Sequence, residues 1–109
     1  SMQAGQKIFM TVVEEMSISR AAARSFVTQQ CVSDHIKRLE EEYQVELFKR
    51  RPRLSITPAG QELYETFCEI KRVEEKLEKN LDRIKGQTKQ KLTIGVNGKR
   101  ITTDIFQRL

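Results

Sequence analysis

The stretch that decides the fold runs from residue 17 to residue 43 and reads SISRAAARSFVTQQCVSDHIKRLEEEY. Ser17 or Ser19 can cap the start of a short helix, because a serine oxygen accepts an amide N–H that a helix start leaves unpaired. Residues 25–28 break the helical pattern, and Thr28 is a suitable N-cap for a further helix. The stretch therefore predicts two short helices separated by a turn.

The second of these helices is predicted to be amphipathic. Its apolar side chains recur at +4, +3 and +4 and form one stripe, made of Val32, Ile36, Leu39 and Tyr43. Two short helices joined by a tight turn, the second amphipathic, are typical of a helix-turn-helix. We therefore expect a helix-turn-helix at about residues 18–37, with the stripe facing the core of the domain.

The segments on either side extend this motif to a winged domain. Residues 4–16 have the apolar spacing of a helix and predict a first helix. Downstream, the basic segment K-R-R-P-R at residues 49–53 lies between two strand-like pieces. This pattern is typical of a wing, at about residues 49–57. The predicted fold class is mainly α: a winged helix-turn-helix domain over residues 2–60, followed by a long helix and a short β-strand.

The long helix has a strong start signal. Thr57 and Pro58 are favourable residues for the N-cap and the first helical position. From there nothing breaks the helical pattern except Gly60 in the first turn, until Gly86, which we expect to end the helix. At ~1.5 Å per residue the helix is roughly 40 Å long, too long to fold back on so small a core. Residues 58–86 are therefore assigned to a linker helix.

The apolar residues of this helix predict a dimer interface. Four of them recur every seven positions and two flank the same seam; the six are Leu63, Phe67, Ile70, Leu77, Leu81 and Ile84. A heptad stripe kept over three repeats on an otherwise charged helix requires a partner helix, most simply a second copy of the same helix. The alternative is that the stripe packs wholly on its own domain.

The C-terminal part of the chain is expected to belong to a second domain. Residues 87–91 are polar and predict a linker, and the L-T-I-G-V-N-G segment after them predicts a strand and a turn. Ile101, Ile105 and Leu109 have the spacing of the first turns of another helix. One strand and part of a helix cannot form a sheet or a core. We therefore expect residues 87–109 to comprise a linker and the truncated start of that domain.

The composition limits the partners of the protein. Lys and Arg outnumber Asp and Glu by 20 to 15 among 109 residues, for a net charge of +5 and a pI near 9.4. This balance favours an acidic partner, nucleic acid first and an anionic membrane second. No apolar run approaches the ~20 residues of a membrane span, and the two cysteines form no disulfide framework. We expect a cytoplasmic, nucleoid-associated protein that binds no membrane.

The segment C-V-S-D-H at residues 31–35 places a thiol, a hydroxyl, a carboxylate and the single imidazole of the chain within five positions. Cys31 and His35 are spaced like two metal ligands on one helix face, but structural zinc takes four ligands and catalytic zinc three. A nucleophile needs a base and an orienting group that converge on it, whereas consecutive helix residues diverge around the axis. We predict no catalytic residue, no metal site and no cofactor.

The helix face opposite the apolar stripe has the make-up of a DNA-reading surface. Its members are Gln30, Asp34, Lys37, Arg38 and Glu41. At the N-terminal turn, unpaired amide N–H groups favour a phosphate. Gln is suited to paired contacts with adenine, and Ser or Thr can contact either base pair. The pattern indicates a helix that enters the major groove with its N-terminus first; the alternative is an ordinary solvated face.

Taken together, the motifs of residues 2–109 resemble the LysR-type transcriptional regulators. The elements that carry the resemblance are Phe9-x-x-Val12-x-Glu14, Ser17-x-x-x-Ala21-Ala22, Val27-Thr28-Gln29, Val32-Ser33-x-x-Ile36-Lys37-x-Leu39-Glu40, Leu47-Phe48-x-Arg50, Thr57-x-Ala59-Gly60 and L-T-I-G at residues 92–95. So many spaced elements in one order are highly specific, although none of them is so alone.

The resemblance implies a winged helix-turn-helix that dimerises through its linker helix and binds an interrupted palindrome in double-stranded DNA. For the full-length protein it implies a homotetramer, and a small-molecule effector bound by a C-terminal domain of periplasmic-binding-protein type. Carried over position by position, it assigns DNA contacts to the recognition helix and the wing; these residues are Thr28, Gln29, Gln30, Ser33, Asp34, Lys37, Arg38, Arg51 and Arg53.

Several positions depart from the pattern of the family. Gln30 stands where the family often has Pro or Ser, and Gln44 replaces the usual Gly after the recognition helix. Ser25 and Tyr43 each replace a usual core Leu. The wing is one residue short. These departures concern sequence preference and wing contacts rather than the fold.

Asp34 is the departure with the largest consequence, because this position in the family is usually basic or amide-bearing. A carboxylate there repels phosphate and could accept only from a cytosine amino group. We expect Asp34 to pair with Lys37 or Arg38 on the next turn. Much of the phosphate affinity is expected from six cations, which are Arg20, Arg24, Lys37, Arg38, Arg51 and Arg53.

A second hypothesis, from another functional class, is a protein-interaction module. Such a module would use the long helix to bind a coiled-coil partner and would not contact DNA. Neutralising Arg51 and Arg53 would separate the two hypotheses, because partner binding would survive and DNA binding would not. A third hypothesis, a metal or redox centre, predicts a melting curve that changes with chelator. The motifs favour a DNA-binding regulator that is not an enzyme.

Overall fold

The computed structural model describes the backbone of residues 2–91, 93–96 and 99–102 and the side chains of residues 2–88. Its elements, in chain order, are α1 (Ala4–Glu15), α2 (Ile18–Ser25), α3 (Gln29–Tyr43), β1 (Phe48–Lys49), β2 (Ser55–Ile56), α4 (Pro58–Lys91), β3 (Thr93–Val96) and β4 (Lys99–Thr102). The chain forms two units, Ser1–Lys71 and Arg72–Leu109. The first unit holds the predicted winged helix-turn-helix, so the mainly α fold class is confirmed.

Local capping explains where the two helices of the motif begin. The Ser17 side chain accepts from the backbone N–H of Arg20 at 3.2 Å, so Ser17 rather than Ser19 caps α2. The Thr28 side chain accepts from the backbone N–H of Cys31 at 3.0 Å and caps α3, as predicted. The turn between α2 and α3 contains Phe26, which has a left-handed backbone at φ 57°.

The core of the first unit is built from one side of each helix and from the base of the wing. Its buried apolar residues are Met2, Ile8, Phe9, Met10, Val12, Ala21, Ala22, Val32, Ile36, Leu39, Leu47, Phe48 and Phe67. The Phe9 ring lies at its centre, with ring centroids 5.6 Å from Phe48 and 5.8 Å from Phe67. Aromatic pairs in such tilted and edge-to-face arrangements add to the stabilisation from burial. The core therefore ties α1, the wing and the start of α4 together.

The apolar stripe of α3 is confirmed at three of its four positions. Val32, Ile36 and Leu39 are buried, whereas Tyr43 is 45% exposed and its placement in the core is wrong. Tyr43 is the last residue of α3. The next residue, Gln44, is the C-cap of the helix and has a left-handed backbone conformation at φ 56°. The ring therefore lines a surface groove instead of the core, and partial burial with Glu42 nearby raises the pKa of the Tyr43 hydroxyl.

The wing is a short antiparallel pair that is joined to α4 by one buried threonine. Phe48 pairs with Ile56 and Lys49 with Ser55. The Thr57 hydroxyl donates to the backbone oxygens of Glu46 and Leu47, at 2.6 and 3.1 Å, and accepts from the N–H of Gly60 at 3.0 Å. Thr57 is therefore both the N-cap of α4 and the link between the two ends of the wing.

Gly60 is required by a close approach rather than by a turn. A Cβ atom built at Gly60 would lie 2.3 Å from the backbone oxygen of Leu47 and 2.8 Å from Cγ1 of Ile56. The wing strands therefore pack directly on the backbone of the first turn of α4. This contact accounts physically for Gly60 in the Thr57-x-Ala59-Gly60 motif.

The predicted boundaries at the C-terminal end need correction. Gly86 does not end α4, which continues to Lys91, so the 58–86 helix is longer and residues 87–91 are helical rather than a linker. A single Gly inside a helix costs only about 1 kcal/mol relative to Ala, so helix-forming neighbours can carry the helix through it. The strand predicted after the linker is confirmed as β3.

The predicted last helix is wrong where the structure describes it. Ile101 lies in strand β4, which pairs with β3 in an antiparallel hairpin and places Ile101 opposite Ile94. An apolar spacing of four positions fits a helix, but two complementary strands near in sequence can satisfy each other's backbone hydrogen bonds instead. Ile105 and Leu109 lie outside the described residues.

Candidate nucleic-acid interface

The N-terminal turn of α3 presents polar groups to solvent. Thr28, Gln29 and Gln30 are all exposed. The first amide N–H groups of a helix have no acceptor within the helix. The Thr28 side chain accepts a hydrogen bond from the N–H of Cys31. The N–H groups of Gln29 and Gln30 are therefore available to an anion. The arrangement can bind a phosphate oxygen while the glutamine side chains extend beyond it.

The outward face of α3 contains the residues that the helical pattern placed there. Gln30, Asp34, Lys37, Arg38 and Glu41 are exposed, and Ser33 beside them is half-buried. The Gln30 side-chain amide donates from Nε2 to Oδ1 of Asp34 at 2.9 Å. Within the part of the chain that the structure describes, Asp34 makes no ion pair with Lys37 or Arg38, so that expected pairing is wrong. The residue four positions before Asp34, rather than those after it, is its partner.

The wing carries several exposed cations. Arg50, Arg51 and Arg53 are exposed, and none of them is in an ion pair among residues 2–88. Lys49 at the base of the wing differs, because its Nζ lies 2.9 Å from a carboxylate oxygen of Glu46. That hydrogen bond and charge raise the pKa of Lys49. The wing therefore offers guanidinium groups that are free to bind phosphate.

Arg20 and Arg24, by contrast, hold α2 against α1. Arg20 donates to the backbone oxygen of Glu15 at 2.8 Å and lies 3.4 Å from its carboxylate. Arg24 lies 2.8 Å from Glu14 and 3.2 Å from Glu15, and the hydrogen bond with Glu14 raises the pKa of Arg24. Both arginines are thus paired with carboxylates of α1, unlike the arginines of the wing.

The five residues of C-V-S-D-H point in different directions. Val32 is in the core, and Asp34 accepts a hydrogen bond from Gln30 on the outside. Nδ1 of His35 would lie 3.2 Å from a Cβ atom built at Gly5. Among the described residues no group of three His, Cys, Asp or Glu side chains could hold a metal ion. Cys31 and Cys68 are both free thiols and half-buried. The segment therefore contributes separate faces of one helix.

The predicted dimer seam divides according to burial. Phe67 is 2% exposed and is part of the core of the first unit, so its assignment to a dimer interface is corrected: it has no surface to offer a second chain. Leu63 is half-buried and Ile70 is 38% exposed on the same helix. In the second unit, Leu77, Leu81 and Ile84 are 44–56% exposed. The remaining members are thus large apolar side chains in contact with water.

A groove in the first unit extends the apolar surface beside Ile70. It has a volume of about 430 Å³, and its apolar lining includes Tyr43, Val45, Leu63 and Ile70. Sequence reasoning missed this groove, because Tyr43 was expected in the core and Val45 was assigned no role. The position of Val45, two residues after a helix end and outside any periodic segment, gave no signal.

Two further residues carry structural signals that the pattern did not predict. Phe26, in the turn of the helix-turn-helix, is 95% exposed. An aromatic residue with a positive φ is unusual, and the left-handed conformation of Phe26 is seen only in the structure. Glu40 accepts from the backbone N–H of Leu47 at 2.8 Å and so holds the loop between α3 and the wing.

In the described part of the chain no helix has the length and apolar character needed to cross a bilayer.

Comparison with known proteins identifies the same unit. The family of bacterial regulatory helix-turn-helix proteins of lysR type matches residues 6–61. The transcriptional regulator CysL of Bacillus subtilis (strain 168) is 43% identical over 60 residues, which are 54% of this chain and 20% of that protein. This chain spans about a fifth to a third of the length of three such regulators.

Solved structures agree with the observed fold. The DNA-binding domain of BenM, in a complex with catB site 1 DNA, superposes with a TM-score of 0.70 at 29% identity, over 76% of this chain and 96% of that one. A LysR-family transcriptional regulator from Eggerthella lenta DSM 2243 superposes with a TM-score of 0.58 at 36% identity, over 62% of this chain and 99% of that one. With the family match covering half of its length, the chain belongs to the LysR family of bacterial helix-turn-helix transcriptional regulators.

Proposed function

We propose that this protein binds duplex DNA sequence-specifically as a dimer, with α3 in the major groove and the wing on the sugar-phosphate backbone. The proposal rests on two sets of donors in the first unit. These are the exposed N-terminal turn of α3 and the guanidinium groups of Arg51 and Arg53, which make no ion pair within residues 2–88. Both are complementary to phosphate. The solved BenM domain that this chain resembles is bound to DNA.

Within this proposal the residues of α3 divide between phosphates and bases. Thr28 and the backbone N–H groups of Gln29 and Gln30 bind a phosphate. Lys37 and Arg38 bind the DNA backbone further along the groove. Gln29 reaches the base edges, where its amide can both donate to and accept from an adenine. Ser33, half-buried beside the outer face, contacts a base edge or a nearby phosphate.

Replacing both Arg51 and Arg53 by Gln is expected to weaken binding to all duplexes almost equally. Each phosphate contact that is lost removes the release of about one counterion, so the slope of log affinity against log salt should fall by about 2. Fluorescence anisotropy with one specific and one random duplex, between low and moderate salt, measures the effect.

Lys49→Gln is the matched control for the wing, because the charge of Lys49 is already compensated by Glu46. It should change the salt slope much less than the double substitution. Equal effects of the two variants would mean that the wing acts only through net charge. Salt-insensitive binding, or no binding to any duplex, would contradict the proposed function itself.

The proposed dimer uses the exposed apolar residues of α4. Large apolar side chains in water along one helix face are characteristic of an interface, and Leu77, Leu81 and Ile84 remain uncovered in the single chain. A second α4 helix would bury them and set the spacing of the two DNA half-sites. We further propose, by family membership, a cytoplasmic homotetramer of the full-length regulator that responds to a small-molecule effector through another domain.

Leu77→Asp is expected to convert the dimer to a monomer, because a buried carboxylate in an apolar seam would lack a partner. Lys79→Asp is the control, since two positions along a helix turn the side chain about 200° away from the seam. Sedimentation velocity over a range of protein concentrations distinguishes them. A dimeric Leu77→Asp variant would show that the seam lies elsewhere.

The same exposed residues favour the second candidate, a coiled-coil interaction module that does not bind DNA. The two functions separate in the Arg51→Gln, Arg53→Gln variant. If this variant still dimerises but binds DNA more weakly than the unaltered protein, the regulator is supported. We assign no enzymatic activity and no cofactor to the protein under either function.

A further inference from the structure

One polar pair lies on the outer face of α3. Gln30 and Asp34 are both exposed and are one helical turn apart, and the amide of Gln30 donates to Oδ1 of Asp34 at 2.9 Å. In the portion of the chain that the structure describes, this is the single hydrogen bond of Asp34, and no cation neutralises it. A negative charge therefore lies on the surface that the proposed function turns toward DNA.

The pair presents mainly hydrogen-bond acceptors. A carboxylate has no proton to donate, and Oδ2 of Asp34 remains unoccupied. One N–H of the Gln30 amide is used by Asp34, while its oxygen remains an acceptor. The bond also limits the rotation of both side chains and so holds the free oxygen of Asp34 in place. Less conformational entropy is therefore lost when a partner binds to this oxygen.

The major groove offers one base whose edge matches such an acceptor. Guanine and thymine present acceptors that repel a carboxylate, and adenine places an acceptor next to its amino group. Cytosine presents the N4 amino group without a neighbouring acceptor. Negative charge also weakens contacts with phosphate, so Asp34 is better explained as a base contact than as a backbone contact.

We propose that Asp34 selects a cytosine in each half-site by accepting from its N4 amino group, and that Gln30 positions Asp34 for this contact. The proposal rests on the proposed function, because it places α3 in the major groove. Lys37 and Arg38 follow on the next turn and are exposed. Their contacts with phosphate would offset the repulsion between Asp34 and the backbone.

Selection of bound duplexes from a random pool tests the proposal, with the unaltered protein and Asp34→Ala in parallel. The unaltered protein should enrich cytosine at one position of each half-site. Replacing that cytosine should weaken binding about 5- to 150-fold. With Asp34→Ala the preference at this position alone should be lost, while the other selected positions remain.

Two further variants separate base selection from general repulsion. Asp34→Asn has an amide that can both donate and accept, so the selected base should change from cytosine to adenine. Glu42→Gln removes another exposed carboxylate from α3, near its C-terminal end and outside the proposed DNA-reading face, and should leave every base preference unchanged. Gln30→Ala should reduce the cytosine preference without abolishing it, because Asp34 would remain but would be less well positioned.

The outcomes distinguish the inference from the function on which it rests. If the unaltered protein selects a defined site and Asp34→Ala selects the same site, only the cytosine contact is overturned. A uniform gain in affinity in Asp34→Ala, with unchanged base preference, also overturns it, because the carboxylate would then act by repulsion alone. If the unaltered protein enriches no duplex, the proposed function fails and the inference fails with it.

Discussion

Replacing Phe67 by Ala is expected to lower the free energy of unfolding of the first unit by about 3–5 kcal/mol. The ring is 2% exposed and packs edge-on against Phe9 in the centre of the core. Truncation removes apolar burial and leaves a cavity among side chains that cannot all collapse into it. Because the loss arises within one chain, it should be the same at all protein concentrations. Urea denaturation followed by circular dichroism measures it.

The control for Phe67→Ala is the same substitution at Phe26. Phe26 is 95% exposed, and alanine keeps the Cβ atom in the same left-handed backbone conformation. Phe26→Ala should therefore change stability by only a few tenths of a kcal/mol. If Phe67→Ala instead left unfolding unchanged and weakened only the association of chains, Phe67 would belong to the dimer seam after all.

Replacing Gly60 by Ala is expected to have the next largest effect, a destabilisation of about 3 kcal/mol, at the upper end of the usual cost of overpacking. The added Cβ would meet the backbone oxygen of Leu47 at 2.3 Å, and a backbone atom cannot rotate out of the way as a side chain can. Relief would require the wing to move away from α4, which would also strain the hydrogen bonds of Thr57. Thermal and urea unfolding give the measurement.

Gly86→Ala provides a control with the opposite sign. No atom lies within 4 Å of a Cβ built at Gly86, and the residue lies inside α4. Alanine should therefore increase helix stability by about 1 kcal/mol. By circular dichroism, the helix content of Gly86→Ala should equal or exceed that of the unaltered protein. Gly60→Ala should lose its helix signal at a lower temperature than the unaltered protein. Stabilisation by both substitutions would refute the close contact between the wing and α4.

The predictions that succeeded are those that depend on neighbours within one or two helical turns. The cap at Thr28 is an example, because an N-cap needs only a side-chain oxygen and the amide two or three residues later. The burial of Val32, Ile36 and Leu39 is another, since a period of 3.6 residues places them on one face whatever covers it. The wing was predictable from a basic loop between two apolar pieces.

The hydrogen-bond partner of Asp34 could not be predicted from the local sequence. Helical geometry allows it to meet a side chain three or four positions away in either direction, and the sequence contains suitable partners on both sides. Only the tertiary structure shows that Gln30 is the partner. Gly86 is a similar case, because a glycine can end a helix or lie inside one at a cost of about 1 kcal/mol, and the continuation of α4 to Lys91 decided it.

The sequence by itself therefore determined the winged helix-turn-helix, the family, and which polar face of α3 is exposed. The tertiary structure alone decided that Phe67 belongs to the core while Leu77 remains exposed, although both lie on the same predicted apolar seam. The physical reason is that periodicity specifies which face of a helix is apolar but not what packs against it. For Phe67 that partner is Phe9 in α1, which lies 58 residues earlier in the chain. No local sequence pattern can predict so distant a contact.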